Sequence, residues 1–225
     1  MPLLPMAILS RQASSTASGG PTDWVSMIEQ RGGADRFTVD PESGLVVPGS
    51  DGLPEMTLQC CLSESTEPTN TCLIDVGSGL HTEELLRQVY SGVSQSDLSS
   101  WGGALPLHPH GAQFAAKRRF PRTLLSALRA IIGQPRLCLL YQQAPMSEAA
   151  SPDSAPHSAA SLRAYRVTCS RPVGLRILQV RRAPDRVQIV VQPTVVITPT
   201  AWVPQPGEAT DIPANPYVYK IFLTQ

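Results

Sequence analysis

Apolar positions in this chain follow two different periods, and the change between them falls at Gly133. Leu124, Leu125, Leu128, Ile131 and Ile132 lie at i, i+1, i+4, i+7 and i+8, which puts them on one face of a helix. Gly133 tolerates the left-handed conformation that closes a helix, and Pro135 prevents the helix from resuming. The chain must then leave as a strand over Arg136 to Gln143, a short apolar run of buried type.

The same patterns predict the remaining elements. Thr22 or Asp23 caps a short helix whose Trp24, Met27 and Ile28 share a face, and Gly32 and Gly33 end it. Phe37 to Asp40 and Leu45 to Val47 read as short strands joined by a tight turn. Met56 to Leu62 and Cys72 to Val76 read as an antiparallel pair with a long connection. Thr82 caps a further helix with Glu83 and Glu84 in its first turn, Leu85, Leu86, Val89 and Tyr90 facing inward, and Gly92 as its stop. Beyond residue 161 the chain turns to strands: Leu162 to Cys169, Leu175 to Val180, Val187 to Ile197 and Tyr217 to Leu223, with Arg171-Pro172 and Ala183-Pro184-Asp185 as connections. Pro193 forces a bulge or an edge. The expected fold is α+β: a β-rich, mainly antiparallel sheet of about four or five strands with two or three short helices packed on it.

Composition refines this picture. An apolar content of 42% is that of a folded protein, and 22 prolines point to many loops and stops. Residues 1–21 read as a flexible leader, residues 22–225 as a single α+β domain, and 144–161, rich in Ala, Ser and Pro, as a disordered loop. The apolar run Met1 to Ser10 is about half the length of a membrane helix. Two readings of it stand: a dispensable end, or the trailing edge of an export or anchor segment.

A net charge of zero conceals a split: 13 acidic and 4 basic residues up to Ala116, then 3 acidic and 13 basic from Lys117 to Arg186. The two parts can neutralise where they meet, or the basic part can face an anionic partner. Lys117, Arg118, Arg119 and Arg122 crowd the start of the main helix, the wrong end for positive charge, and are the candidate binding residues. Nucleic acid is disfavoured, because Phe120, Tyr141 and Tyr165 are too scattered for a stacking platform.

Catalytic patterns are thin. No nucleophile elbow, phosphate loop, dinucleotide fingerprint or HExxH motif occurs. His108 and His110 flank Pro109 without further metal ligands at a suggestive spacing, and Asp75, Gly77 and Ser78 suit a strand-ending turn better than a metal loop. His81, His108, His110 and His157 all sit in loop-like sequence, away from any cysteine nucleophile. Five cysteines make no CxxC; one bridge from Cys60 or Cys61 to Cys72 is compatible with an oxidising compartment. No catalytic, cofactor or metal residue is assigned.

Several short stretches resemble one family. Arg87 to Val93, followed by Asp97, Leu98 and Gly102-Gly103, is similar to an "RQI-x-YGV" and "DL…GG" pattern. Ile131 to Arg136 resembles "IIGQPR", Val190 to Pro193 resembles "IIQP", and Asp40 to Glu55 resembles "VDP-x-TG-x-V-x-PGSDGIPE". Tyr217 to Tyr219 fits the closing segment. These patterns occur in planctomycete TadE/TadG-like, or Flp pilus assembly-like, proteins, and the resemblance spans about residues 36 to 223. The chain departs from that pattern in its basic stretch 112–123, in its loop 144–161 and in having at most Leu3 to Leu9 in place of a membrane helix. The resemblance implies a non-enzymatic extracytoplasmic envelope module, periplasmic or at the cell surface, associated with a Tad/Flp-type pilus assembly system. Its partners would be proteins of the envelope or pilus machinery, with membrane anchoring only through a segment missing from or truncated in this chain. The competing readings are an enzyme with an unrecognised hydrolase or metal site, and a binder of anionic polymer through residues 117–186.

Overall fold

The computed structural model describes residues 1–11, 23–62, 69–107, 110–142, 165–198 and 216–219. The leader from 12 to 21, the loop 144–161 and residues 220–223 of the last expected strand lie outside the described residues. The fold is α+β and β-rich, with a mostly antiparallel sheet and three short helices.

Eleven strands are present among the described residues: β1 (Leu3–Leu9), β2 (Phe37–Val39), β3 (Val46–Pro48), β4 (Met56–Cys61), β5 (Thr71–Ile74), β6 (Ala112–Lys117), β7 (Pro135–Gln142), β8 (Tyr165–Arg182), β9 (Arg186–Pro193), β10 (Val196–Ile197) and β11 (Val218–Tyr219). Helices α1 (Thr82–Ser91) and α2 (Leu124–Ala130) join a five-residue helical turn of π type at Val25–Glu29. The main sheet runs β4-β9-β8-β6-β5-β1-β7, and β7 also pairs with β8. Five strands, β1, β5, β6, β8 and β7, therefore close into a ring. Strands in a ring of five cannot alternate in direction all the way round, so one junction must be parallel. That junction is β1 with β7; the other four are antiparallel.

β1 is the first correction to the sequence reading. Residues 3–9 belong to the centre of the fold and not to a flexible leader, and every one of them is buried. Leu3, Ala7 and Leu9 join the cluster inside the ring with Phe114, Leu139 and Val167, while Leu4, Met6 and Ile8 join the cluster of the helices, β4 and β9. A strand buried on both faces shows no polar alternation, so its run of apolar residues carries no period by which to recognise it. Pro5 is accommodated because the register against β7 shifts between Leu3 and Ala7.

β8 is the second correction. The two strands expected on either side of Arg171-Pro172 are one continuous strand of 18 residues. Its first part pairs with β6 as far as Cys169, and its last part pairs with β9 from Leu175 onward. Pro172 falls between the stretches paired with these neighbours and lies opposite Leu139 of β7. Gly174 lies under the chain leaving β9: a Cβ there would stand 2.2 Å from the Thr194 carbonyl oxygen. Pro193 ends β9, as its missing N–H requires, and Val196 then turns into the ring cluster.

Met56 to Leu62 and Cys72 to Val76 do not pair with each other. β4 pairs with β9, and β5 lies between β1 and β6. Asn70 connects the two. Its side chain accepts from the Gln59 N–H at 2.7 Å and donates to the Thr57 carbonyl at 2.9 Å, while the Phe120 N–H donates to the Cys61 carbonyl at 2.8 Å. The outer edge of β4 is thereby covered, which removes a template for strand addition.

The helix stop at Gly133 and Pro135 agrees with expectation. Gly133 has φ +81°, its N–H donates to the Ile177 carbonyl, and β7 starts two residues later. α2 is shorter than the 124–132 pattern, because residues 131–133 form a turn. Asp23 caps the first helical turn by accepting from the Ser26 N–H at 2.8 Å. In α1 the residue before the helix is His81, Thr82 is already helical, and no side chain caps it. Leu85 and Val89 are buried as expected, but Gln88 takes the inward place given to Tyr90, donating to the Val76 carbonyl at 2.9 Å, and Tyr90 is 50% exposed. The β2–β3 hairpin forms as read, with the Asp40 carboxylate accepting from the Glu42 and Ser43 N–H groups in its turn.

Leu4→Ala should cost about 2–5 kcal/mol in urea unfolding, the range for a buried leucine deletion. A cost below about 0.5 kcal/mol, the range of surface changes, would return the first ten residues to the role of a dispensable end.

Candidate functional site

The four basic residues singled out in the sequence do not share a face. Lys117 ends β6 with its side chain outside the ring, since Ala112, Phe114 and Ala116 point in. Arg118 follows on the inner side, with its guanidinium carbon 5.3 Å from the centroid of the Tyr165 ring. Arg119 bridges Cys61 of β4, and Arg122 is exposed ahead of α2. Of the four, Arg122 stands next to the helix start, one residue ahead of the cap Thr123, and it is exposed to solvent. The two halves of opposite charge do meet, through the Arg171–Glu29 ion pair.

Below Arg118 the ring interior holds Cys72, Tyr141, Tyr165 and Cys169. Burial pushes the Cys72 thiol up to about 12, against the opposing pull of its hydrogen bond with Tyr165 and of the Arg118 charge. Burial also raises the two tyrosines, Cys60, Cys138 and Cys169. All five cysteines are buried free thiols, so the bridge from Cys60 or Cys61 to Cys72 is not formed. Thiols of this kind are small packing groups and poor nucleophiles.

A shallow cleft of about 250 Å³ opens at the ring surface, lined by Asp75, Gly77, Ser100, Trp101 and Ala115. Its carboxylate is committed to the turn: Asp75 accepts from the Gly79 N–H at 2.8 Å and from the Ser78 hydroxyl at 3.4 Å. This is the strand-ending turn expected from the sequence. Trp101 packs on Phe114 with centroids 5.0 Å apart. His81 precedes α1 and His110 is exposed, while His108 and His157 lie outside the described residues. Among the described residues no group of three or more His, Cys, Asp or Glu could hold a metal.

The cleft rim is held by a clasp from α1. Arg87 donates to Glu84 and to Asp97, and Asp97 also accepts from the Ser94 N–H and hydroxyl at 2.7 and 2.8 Å. Gly77 passes so close to Asp97 that a Cβ would meet its carbonyl oxygen at 2.1 Å.

Two other surfaces carry more chemistry than the cleft. One is the β2–β3 hairpin, where Leu45 and Val47, two residues apart, are 64% and 38% exposed and Leu53 nearby in sequence is 42% exposed. Acids surround it: Asp40 and Glu42 at the turn, and Asp35, which the Ser50 hydroxyl and the Asp51 and Gly52 amides hold below the usual carboxylate range. The other is the polar face of β8, β9 and β4. Burial alternates along β9 and β4, so that Val187, Ile189 and Val191 with Met56, Leu58 and Cys60 join the core cluster of α2, while Gln188, Val190, Thr57 and Gln59 point the other way. The alternation of β9 was visible in the sequence; its neighbours across the sheet were not.

No protein-family model, curated protein or solved structure matches this chain. No helix among the described residues is long and apolar enough to cross a membrane.

The Asp97 clasp makes a pH-dependent prediction. Burial by itself would raise the Asp97 carboxyl, yet the hydrogen bonds from Arg87 and Ser94 outweigh it and hold the group at about 2, below its ordinary 3.8. A folded-state value below the unfolded one stabilises the protein above about pH 4, and this contribution is lost as pH falls toward about 2. Arg87 is 37% exposed, so screening limits the contribution to about 1 kcal/mol. The stability gap between the natural chain and Asp97→Asn, measured by urea at pH 7 and stepwise down to pH 2, should narrow in that window. A gap that is the same at both ends would exclude the clasp as its source.

Proposed function

We propose that this chain is a non-enzymatic extracytoplasmic envelope module that works by presenting surfaces to protein partners, in association with a pilus assembly system of the Tad/Flp type. The observation that carries this reading is the hairpin. Large apolar side chains at positions 45 and 47 stand in solvent on a short two-stranded ribbon, with Asp40 and Glu42 at its turn and Arg36 at its base. An apolar centre with a polar rim is the anatomy of a protein-binding patch, and its charge selects a basic partner surface. The resemblance of Asp40 to Glu55 to an envelope family falls on this same segment.

Two measurements test the reading together. In the cells that make it, the tagged chain should fractionate with the envelope and be cut by protease added to permeabilised outer layers. A photo-crosslinking residue at position 45 should yield a discrete protein adduct that Asp40→Lys with Glu42→Lys abolishes, while the same group at position 129 should not. Recovery in the cytoplasm, with crosslinks independent of position, would overturn it.

A further inference from the structure

The geometry points to the polar face of β8, β9 and β4 as a binding surface for a linear acidic polysaccharide, independent of the hairpin. The register builds this face row by row. Gln59, Gln188 and Arg181 lie side by side across the three strands, and Thr57, Val190 and Gln179 form the next row. Arg176 and Gln192 follow below, and Cys61 and Arg186 above. Arginines 176 and 181 stand on one strand two rows apart, roughly 14 Å along it. Arg181 is exposed, and Arg176, Gln179, Gln188, Thr57 and Gln59 are half-buried.

Three properties select the ligand. First, charge: the acid seen on this face is Asp51, and both its oxygens accept from the Gln192 side-chain amide at 2.8 Å, which fixes the loop 49–54 as one wall. Guanidinium forks match carboxylates in a way that a bare positive charge does not. Second, amides: glutamines and a threonine between the arginines offer both donors and acceptors, as a chain of hydroxyl groups requires and a phosphodiester backbone does not. Arg176 Nε and Gln179 Oε1, on adjacent rows, are a buried donor and a buried acceptor without a hydrogen bond among the described residues. Third, shape: the rows carry no aromatic ring for base stacking and, apart from Val190 and the buried Cys61, no apolar side chain for a peptide. Rows that set arginines among amide and hydroxyl groups fit an extended sugar acid polymer.

Polygalacturonate is a suitable probe, with neutral dextran and poly(dT) as comparisons. In native gels containing each polymer, polygalacturonate should retard the protein at low salt, with retardation falling as salt screens the arginines. Arg176→Gln with Arg181→Gln should raise the polymer concentration for half-retardation by about tenfold or more, the loss of one or two charge-assisted contacts. Arg119→Gln with Arg122→Gln removes the same charge elsewhere and should change it by less than about twofold. Arg181→Gln alone, an exposed change, should show part of the effect and stands in if the double variant does not fold. Equal losses in both double variants, stronger retardation by poly(dT), or no retardation by polygalacturonate would overturn the assignment.

Discussion

Closure of a ring with an odd number of strands is the constraint on which the rest of this structure depends. Four antiparallel junctions leave the fifth parallel, and that junction has to be made by strands far apart in the chain, here β1 and β7. β8 makes the closure possible by pairing with β7 along one edge and with β6 and then β9 along the other. Its bulge between Cys169 and Arg171 changes which side chains face inward, so that Val167 and Cys169 line the ring while Val173 and Leu175 face the helices. One strand thus separates two cores, and a strand that belongs to both ties their stabilities together.

The parts of this architecture legible in the sequence are those fixed by neighbours in the chain. Gly133 and Pro135 stop α2 through their own backbone chemistry, and the hairpin at Asp40 is set by its turn. What could not be read locally is pairing. Leu3 to Leu9 owes its strand conformation to β5 and β7, more than sixty residues away, and burial on both faces erases the alternation that would have announced it. Pro172 looks like a break, but it lies inside one long strand, opposite Leu139 of β7 and between the stretches that pair with β6 and β9. Gln88 and Tyr90 exchanged places for a related reason: the buried carbonyl of Val76 needed a donor, and a glutamine could reach it.

The same contrast governs the charged surface. Lys117, Arg118, Arg119 and Arg122 form a cluster along the chain, yet strand geometry sends successive side chains to opposite faces, so they part company in space. Arg176, Arg181 and Gln188 look unrelated in sequence and become neighbours through the β8–β9 ladder. A functional face on a sheet is assembled by register, and register is a property of the fold as a whole.

Sealing of the sheet also decides how this molecule can meet a partner. The ring has no edges, and at the far end of the sheet Asn70 and Phe120 satisfy the outward groups of β4. A ligand that binds by adding a strand finds no backbone ladder there. Recognition must then pass through side chains displayed on faces, and on a rigid sheet their spacing is preset. Such a face loses little entropy when it binds, which favours an extended, repeating ligand whose groups recur at the spacing of the rows. The hairpin, a short ribbon outside the ring, has no such restriction and suits a partner that moulds to it. Rigid face and protruding ribbon thus offer two kinds of contact, side chains at preset spacing on the one and an apolar tip free to adapt on the other.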